Sequence, residues 1–247
     1  MIHFPILRTR RLTVQLRELS FRQSIKLAAM PIDAEEAART AFLRFAVESC
    51  KGVEDPVQWT AQERLLGVCH YLAAVRDDGP DFVLGGGGHY SDYLDGTVDT
   101  GPENVDVGEV GGDAWRVKRL TGAMAESIER LSGEVEGFAG RLHWLMGGMA
   151  VQMVRVGEIT PDPDAGEGAF DEWLSARIRV MTEFPASELE ALLGLYAKGR
   201  DALDHLFCVD FSDTGLVALP KKGGGDLPPV RFPVHAALTR TVLEMVR

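Results

Sequence analysis

The stretch TAQERLLGVCHYLAAV, residues 60–75, decides the helical part of the fold. Thr60 and Glu63 have the spacing of a capping box, in which each side chain accepts a backbone N–H of the first turn. The apolar residues that follow recur every three or four positions, which is typical of one face of an amphipathic helix. They are Leu65, Leu66, Cys69, Leu72 and Ala73. The pattern predicts a helix over about residues 61–76.

The residues before this helix predict a strand and two more helices. LTVQLRE, residues 12–18, alternates apolar and polar side chains, as a half-buried strand does. Ser20-x-x-Gln23 predicts the start of a short helix that ends before Pro31. Asp33-x-x-Glu36 predicts a second helix that stops near Gly52. Residues 1–76 therefore form our first predicted segment, a strand followed by three helices.

The second predicted segment, residues 77–118, is acidic and rich in glycine. Ten acidic residues and no lysine or arginine lie between Asp77 and Ala114, together with GGGG at 85–88. Short alternating pieces such as DFVLG and VDVGEV favour strands of a small sheet or an extended arm. Because the segment has little apolar content, we expect it to become ordered only on a partner. We interpret the glycine run as a hinge or as backbone that lies close to a neighbour, rather than as a phosphate-binding loop.

The third predicted segment, residues 119–247, is helical and ends in a hairpin. One periodic helix carries Met146, Met149 and Met153 on a single face, for which core packing is favoured over a partner-binding surface. Gly147 and Gly148 in that helix permit close helix contact. FCVDF and GLVALP flank a three-residue connection at 212–214, which predicts a β-hairpin. The predicted class is α+β, mainly helical, with an N-terminal strand, a small β-rich acidic segment and this hairpin.

Composition narrows the possible functions. The chain has 247 residues, of which 45% are hydrophobic, and its net charge is −11. This charge disfavours binding to nucleic acid or to an anionic membrane surface, and no apolar run is long enough to predict a membrane span. Three widely spaced cysteines, Cys50, Cys69 and Cys208, suit a reducing cytoplasm. We expect a protein that is made in the cytoplasm and does not enter a membrane.

The sequence predicts no catalytic, cofactor-binding or metal-binding residue. The acidic segment lacks the spacing of a calcium loop, and the neighbours Cys69 and His70 point in different directions on a helix, so they do not suit one zinc ion. His143 and His205 are expected to be structural. One alternative stays open, a small metal-dependent enzyme that uses the acidic, glycine-rich segment.

The distribution of charge predicts a partner-binding surface. Residues 1–30 carry six basic residues and one acidic residue, the reverse of the acidic segment. Opposite patches of this kind orient contacts between chains, although the same pattern suits a contact within one chain. We predict that the partner-binding residues are four arginines near the first strand and two tyrosines of the acidic segment. They are Arg8, Arg10, Arg11, Arg17, Tyr90 and Tyr93.

Four segments at the two ends of the chain resemble a known family. RRLTVQLRELSFRQSIKLAAMP at 10–31, TAFLRFAV at 40–47 and WTAQERLLGVCHYLAA at 59–74 resemble the N-terminal region of tail and baseplate assembly proteins of tailed bacteriophages. LDHLFCVDFSDTGLVALP at 203–220 is similar to a hairpin near the end of those proteins. The acidic segment and the methionine-rich helix have no counterpart in this resemblance.

The resemblance implies a protein that works through contacts with other proteins. It implies a non-enzymatic structural adaptor or assembly component of a phage tail or baseplate, present in multiple copies beside other tail or baseplate proteins. Its location would be the virion tail, after synthesis and assembly in the host cytoplasm. Whether the chain stays in the virion or acts only during assembly is left open.

Overall fold

The computed structural model describes residues 2–164, 168–223 and 226–246, and those residues contain eight α-helices and nine strands. In chain order they are β1 Leu7–Arg8, β2 Leu12–Leu16, α1 Phe21–Ala28, α2 Glu35–Ala46, β3 Val47–Gly52, α3 Ala61–Val75, β4 Leu94–Asp95, β5 Asn104–Val110, β6 Asp113–Lys118, α4 Gly122–Arg130, α5 Gly140–Gln152, β7 Met153–Arg155, α6 Ala169–Thr182, α7 Ala186–Leu203, β8 Leu206–Ser212, β9 Gly215–Leu219 and α8 Arg240–Val246. The strands form three small sheets in the orders β1-β2-β3, β4-β8-β9 and β5-β6-β7. The α+β class is therefore confirmed.

The described chain divides into two compact units that differ from the three predicted segments. The first unit comprises residues 1–100, 205–210 and 216–247, and the second comprises 101–204 and 211–215. The acidic segment, predicted as one piece, is shared between the two. A shift in composition marks where charge accumulates, but it does not reveal that the chain later returns to a unit that it had left.

The first sheet contains a strand that the sequence pattern did not predict. The helix α2 ends at Ala46, and Val47–Gly52 is a strand instead of further helix, so the predicted helix end near Gly52 is wrong. This strand pairs antiparallel with β2, with Val14 opposite Cys50. Because β1 pairs with the other side of β2, the backbone of β2 is paired on both sides within the chain. The strand predicted at 12–18 thus finds its sheet partners inside the chain and offers no unpaired edge to another protein.

Two of the predicted helix starts are confirmed and one is wrong. Ser20 and Thr60 each form a complete capping box with the residue three positions later. By contrast, the helix predicted to start at Asp33 begins at Glu35 after Ala34, which makes no side-chain capping bond. A capping motif raises the probability of a helix start, but neighbouring contacts decide which residue takes that position.

Buried charges join α2 to α3 in the first unit, and we call Glu35, Glu36, Arg39 and Arg64 the buried ion cluster. All four side chains are almost fully buried. Arg39 contacts both carboxylates, and Arg64 lies 3.6 Å from Glu36 Oε2. The Nη2 of Arg64 also donates to the carbonyl oxygen of Glu36 at 2.7 Å and to Thr40 Oγ1 at 2.8 Å. Two helices are thus held together by charge-assisted hydrogen bonds inside the core.

The cluster keeps its acidic member ionised and reaches a later part of the chain. Burial raises the pKa of Glu36, but Arg39 and Arg64 outweigh that effect, so its pKa lies below the usual 4.5. The carboxylate of Glu35 accepts the backbone N–H of Val234 at 2.9 Å. Removing one partner from such a cluster leaves a buried charge uncompensated, which is strongly destabilising.

The acidic segment supplies core residues, which corrects our expectation that it becomes ordered only on a partner. Phe82, Tyr90 and Tyr93 are buried in the first unit, and the rings of Phe82 and Tyr90 stack with centroids 5.2 Å apart. The predicted close approach of the glycine run is confirmed, because a Cβ built on Gly86 would lie 2.6 Å from Cγ of Pro228. A few large aromatic side chains anchor a segment whose average composition is polar.

Glycines also permit close packing in the second unit. A Cβ built on Gly199 of α7 would lie 2.5 Å from Val117 of β6, and one on Gly148 of α5 would lie 2.4 Å from Phe211. The predicted close helix contact is confirmed, because a Cβ built on Gly147 of α5 would lie 2.7 Å from Ile128 of α4. Met146, Met149 and Met153 are all buried, which confirms their predicted role in core packing.

The packing at Gly199 is tested by two glycines of the same helix. We expect Gly199→Ala to destabilise the protein by about 1–3 kcal/mol, because the added methyl group must displace Val117. Gly194→Ala is the matched control, since nothing lies within 4 Å of its Cβ position. It should stabilise the helix by about 0.5–1 kcal/mol. Chemical denaturation measures both changes, and equal effects would contradict the packing described for Gly199.

The buried ion cluster predicts a loss of stability in acid. A carboxyl group whose folded pKa lies below its unfolded value stabilises the fold above the unfolded pKa, and this stability is lost as pH falls through the folded pKa. Glu36→Gln should cost about 3–5 kcal/mol at neutral pH and should flatten the loss of stability below the usual pKa of 4.5. Denaturation at a series of pH values tests this, with Glu48→Gln on the exposed face of β3 as the control. If Glu36→Gln unfolded in acid as the unmodified protein does, Glu36 would not be the responsible group.

Candidate protein-protein interface

An N-terminal basic surface lies on the first unit, and we define it as Arg8, Arg10, Arg17, Arg22 and Lys26. All five residues are exposed. The backbone N–H of Arg10 donates to Asp99 Oδ2 at 2.9 Å, which fixes the turn between β1 and β2 while the side chain stays in solvent. Arg17 Nε donates to the carbonyl oxygen of Phe45 at 3.1 Å. The main chain under this surface is thus held in place by contacts within the unit.

Arg11 differs from the other predicted arginines because its guanidinium group contacts a buried carboxylate. Its Nη1 lies 3.4 Å from Oε2 of Glu63, which is almost fully buried. The same carboxylate oxygen accepts the backbone N–H of Thr60 at 2.9 Å and so completes the cap of α3. Arg11 therefore compensates a buried charge, and we do not include it in the N-terminal basic surface.

The two tyrosines that the sequence predicts as partner-binding residues lie in the core. Tyr93 is fully buried, and its hydroxyl donates to the carbonyl oxygen of Pro228 at 2.7 Å. Burial raises the pKa of both tyrosine hydroxyls. A partner could contact these rings only after the aromatic core opened. Their position between glycines and aspartates suggested exposure, whereas stacking on Phe82 and contact with Phe232 bury them.

The outward face of α1 was not predicted, and we define it as Phe21, Arg22, Ile25 and Lys26. The side chain of Phe21 is 56% exposed and that of Ile25 is 36% exposed. Leu27 is the buried residue of this helix. It comes two positions after Ile25 and therefore lies about 200° around the helix. The apolar residues of α1 therefore do not share one face. This pattern was visible in the sequence and could have indicated that some of them are exposed.

Other exposed apolar side chains lie near α1. Ile32, which is 86% exposed, follows the helix after a short connection. Met245, which is 65% exposed, lies on α8, and α8 packs against α1. The first unit therefore carries several exposed apolar side chains, two of which lie beside basic residues on α1.

Several of the acidic side chains predicted for the alternative metal site make ion pairs within their own units. Asp106 pairs with Arg116 at 2.6 Å, and Asp113 pairs with Arg155 at 2.6 Å. Hydrogen bonding to the Arg76 guanidinium lowers the pKa of Asp78 to about 2. Within the described ranges, no group of three or more possible ligand residues is placed to hold a metal ion.

The histidines and the buried cysteine have structural surroundings. The Nε2 of His143 lies 2.6 Å from the carbonyl oxygen of Ile128, and that of His205 lies 2.9 Å from Thr60 Oγ1. Burial raises the pKa of the Cys69 thiol well above its usual value. A thiol in this setting stays protonated and is a poor nucleophile.

The described part of the chain contains no helix that is both long and apolar enough to cross a membrane.

Comparison with other proteins adds no identification. Searches against protein-family models, curated proteins and solved structures found no significant match. The residues themselves are therefore the basis for any assignment of function.

The different surroundings of Arg8 and Arg11 can be tested by substitution. We expect Arg11→Met to cost about 1–3 kcal/mol, because it leaves the buried Glu63 without its charged partner. Arg8→Met is the matched control and should change stability by less than about 0.5 kcal/mol, since the side chain is exposed. Thermal and chemical denaturation measure both. If the two variants had equal stability, the contact between Arg11 and Glu63 would contribute nothing measurable.

Proposed function

We propose that the chain is a non-enzymatic structural adaptor or assembly component of a bacteriophage tail or baseplate. It acts through contacts with other tail or baseplate proteins and is present in multiple copies in the assembly. Its location is the virion tail, and it is synthesised and assembled in the host cytoplasm. We also propose that the fold is mainly helical and that its N-terminal strand and C-terminal hairpin correspond to those of the tail and baseplate proteins.

The N-terminal basic surface is the observation that carries the proposal. The chain has a net charge of −11, yet five exposed basic residues lie within 19 positions of one another, from Arg8 to Lys26. Charge separation of this kind steers partners to one face and fixes their orientation. These exposed basic side chains offer complementary charge to carboxylates of a partner protein, whereas the net charge of −11 disfavours nucleic acid.

The location of the resembling segments supports the same proposal. The segments at 10–31, 40–47 and 59–74 contain β2, α1 and α3 and parts of the elements between them. All three belong to the first unit, which also carries the N-terminal basic surface. The three N-terminal segments of the resemblance thus lie in the unit that carries the N-terminal basic surface.

Genetic disruption tests the proposal. Stop codons placed early in the coding sequence, in the phage genome that carries it, should abolish the assembly of complete tails. Electron microscopy of the lysate should then show heads without complete tails, and the unmodified gene supplied in trans should restore infectious particles. Normal tails without the protein would contradict the proposal.

A variant of the basic surface separates contact from folding. Arg8→Glu, Arg10→Glu and Arg17→Glu together should reduce complementation while the melting temperature stays within about two degrees, because exposed charges contribute little to stability. Full complementation by this triple variant would remove the basic surface from the proposal. A purified monomer that held one equivalent of divalent metal would instead favour the metal-dependent enzyme.

A further inference from the structure

We propose that the outward face of α1 docks an acidic segment of another protein in the assembly, one that carries an apolar anchor beside its carboxylates. This inference rests on the proposed function and names the chemistry of the partner. It assigns the contact to Phe21, Arg22, Ile25 and Lys26, which adds an apolar component to the electrostatic one.

The geometry of the helix places two kinds of side chain in adjacent rows. Residues four positions apart lie almost above one another on a helix, so Phe21 and Ile25 form one row. Arg22 and Lys26 form the next row, about 100° further around the axis. A partner segment that presents apolar side chains next to carboxylates matches both rows at once.

The helix is fixed at both ends, so its outward face exists before a partner arrives. Ser20 closes the first turn with a capping box, and the N–H of Ala29 donates to the carbonyl oxygen of Ile25 at 3.0 Å. Leu27 is fully buried and attaches the opposite side to the core. Docking therefore does not require this helix to fold, which lowers the entropic cost of binding.

The exposure of Phe21 and Ile25 gives the face its binding potential. Burying a large apolar side chain at an interface contributes more free energy than a solvent-exposed ion pair does. Aromatic residues are accordingly frequent among the side chains that dominate interfaces. The flanking Arg22 and Lys26 make no ion pair with any described part of the chain, so their charges remain available to a partner.

Charge also favours a segment of a separate protein over a second copy of this chain. A second copy would bring its whole net charge of −11, whereas the proposed contact needs only a short acidic segment, whose own protein can carry any net charge. Several acidic side chains of the region from 77 to 114 are already compensated in their own units. These pairs are Asp78 with Arg76, Asp106 with Arg116 and Asp113 with Arg155. Nucleic acid and anionic lipid would be repelled by the net negative charge of this chain.

Complementation with matched variants tests the face. Phe21→Ser with Ile25→Ser removes the apolar row, and Arg22→Glu with Lys26→Glu reverses the basic row. We expect each pair to reduce plating efficiency about tenfold or more while the melting temperature stays unchanged, as interface residues on a preformed surface should. Leu142→Ser with Val180→Ser is the control, because those side chains are also exposed but lie in the second unit. It should complement fully.

Cross-linking identifies the chemistry of the partner. A benzophenone amino acid in place of Phe21 should, in infected cells, cross-link to a peptide of another tail protein in which aspartate or glutamate flanks an apolar residue. The same group in place of Val180 should not reach that peptide. Combining the probe with Arg22→Glu and Lys26→Glu should reduce the yield about tenfold, and changing the partner's carboxylates to lysine should restore it.

The outcomes separate this inference from the proposed function. If tails assemble without the chain, the proposed function fails. If tails require the chain but both α1 variants complement fully, only the inference about α1 fails. Cross-links to a second copy, to nucleic acid, to lipid or to a segment without carboxylates would also overturn it, as would particles that assemble with no cross-link at position 21.

Discussion

Two arginines and two glutamates inside the first unit set a constraint on the packing around them. The guanidinium group of Arg64 binds the carbonyl oxygen of Glu36 and the hydroxyl of Thr40, so α3 has a fixed position along α2. The charges cannot shift without losing these bonds, since all four side chains are almost fully shielded from solvent. The same cluster reaches residue 234 through Glu35, so a C-terminal segment is tied to the beginning of α2. Apolar side chains alone would not specify one register so strictly.

Local patterns were sufficient to predict some elements and insufficient for others. The capping boxes at Ser20 and Thr60 were predictable because the interacting atoms are three residues apart. The strand β3 was not, because VESCKG lacks alternating apolar residues and owes its conformation to pairing with β2, more than 30 positions earlier. The division into two units was hidden for the same reason. The division depends on the return of the chain to the first unit at residue 205, and no local sequence pattern predicts that return.

The candidate interface was predicted in part. An excess of basic residues in the first 30 positions correctly indicated exposed arginines, because charged side chains remain in solvent unless they are paired. Arg11 was indistinguishable from Arg8 and Arg10 in the sequence, since its buried partner Glu63 is 52 positions away. Tyr90 and Tyr93 were predicted to be exposed because the segment around them is polar on average. The average polarity of a segment does not determine whether a single aromatic ring is buried. The exposed face of α1 could have been predicted from the angle between Ile25 and Leu27 around the helix axis. Counting the apolar residues of the helix ignores that angle and suggests a single buried face.

The discontinuity of the first unit has a consequence for the order of events on the ribosome. Residues 1–100 leave the exit tunnel first, but the core that they enter also contains Phe207, Phe232 and Leu238. The nascent first unit must therefore wait, with apolar side chains uncovered, while residues 101–204 are translated and fold as an intervening unit. Because α8 packs against α1, the surroundings of the α1 face are completed only after residue 246 has been translated. An element near the beginning of the described chain thus reaches its final surroundings only when the rest of that chain has been made.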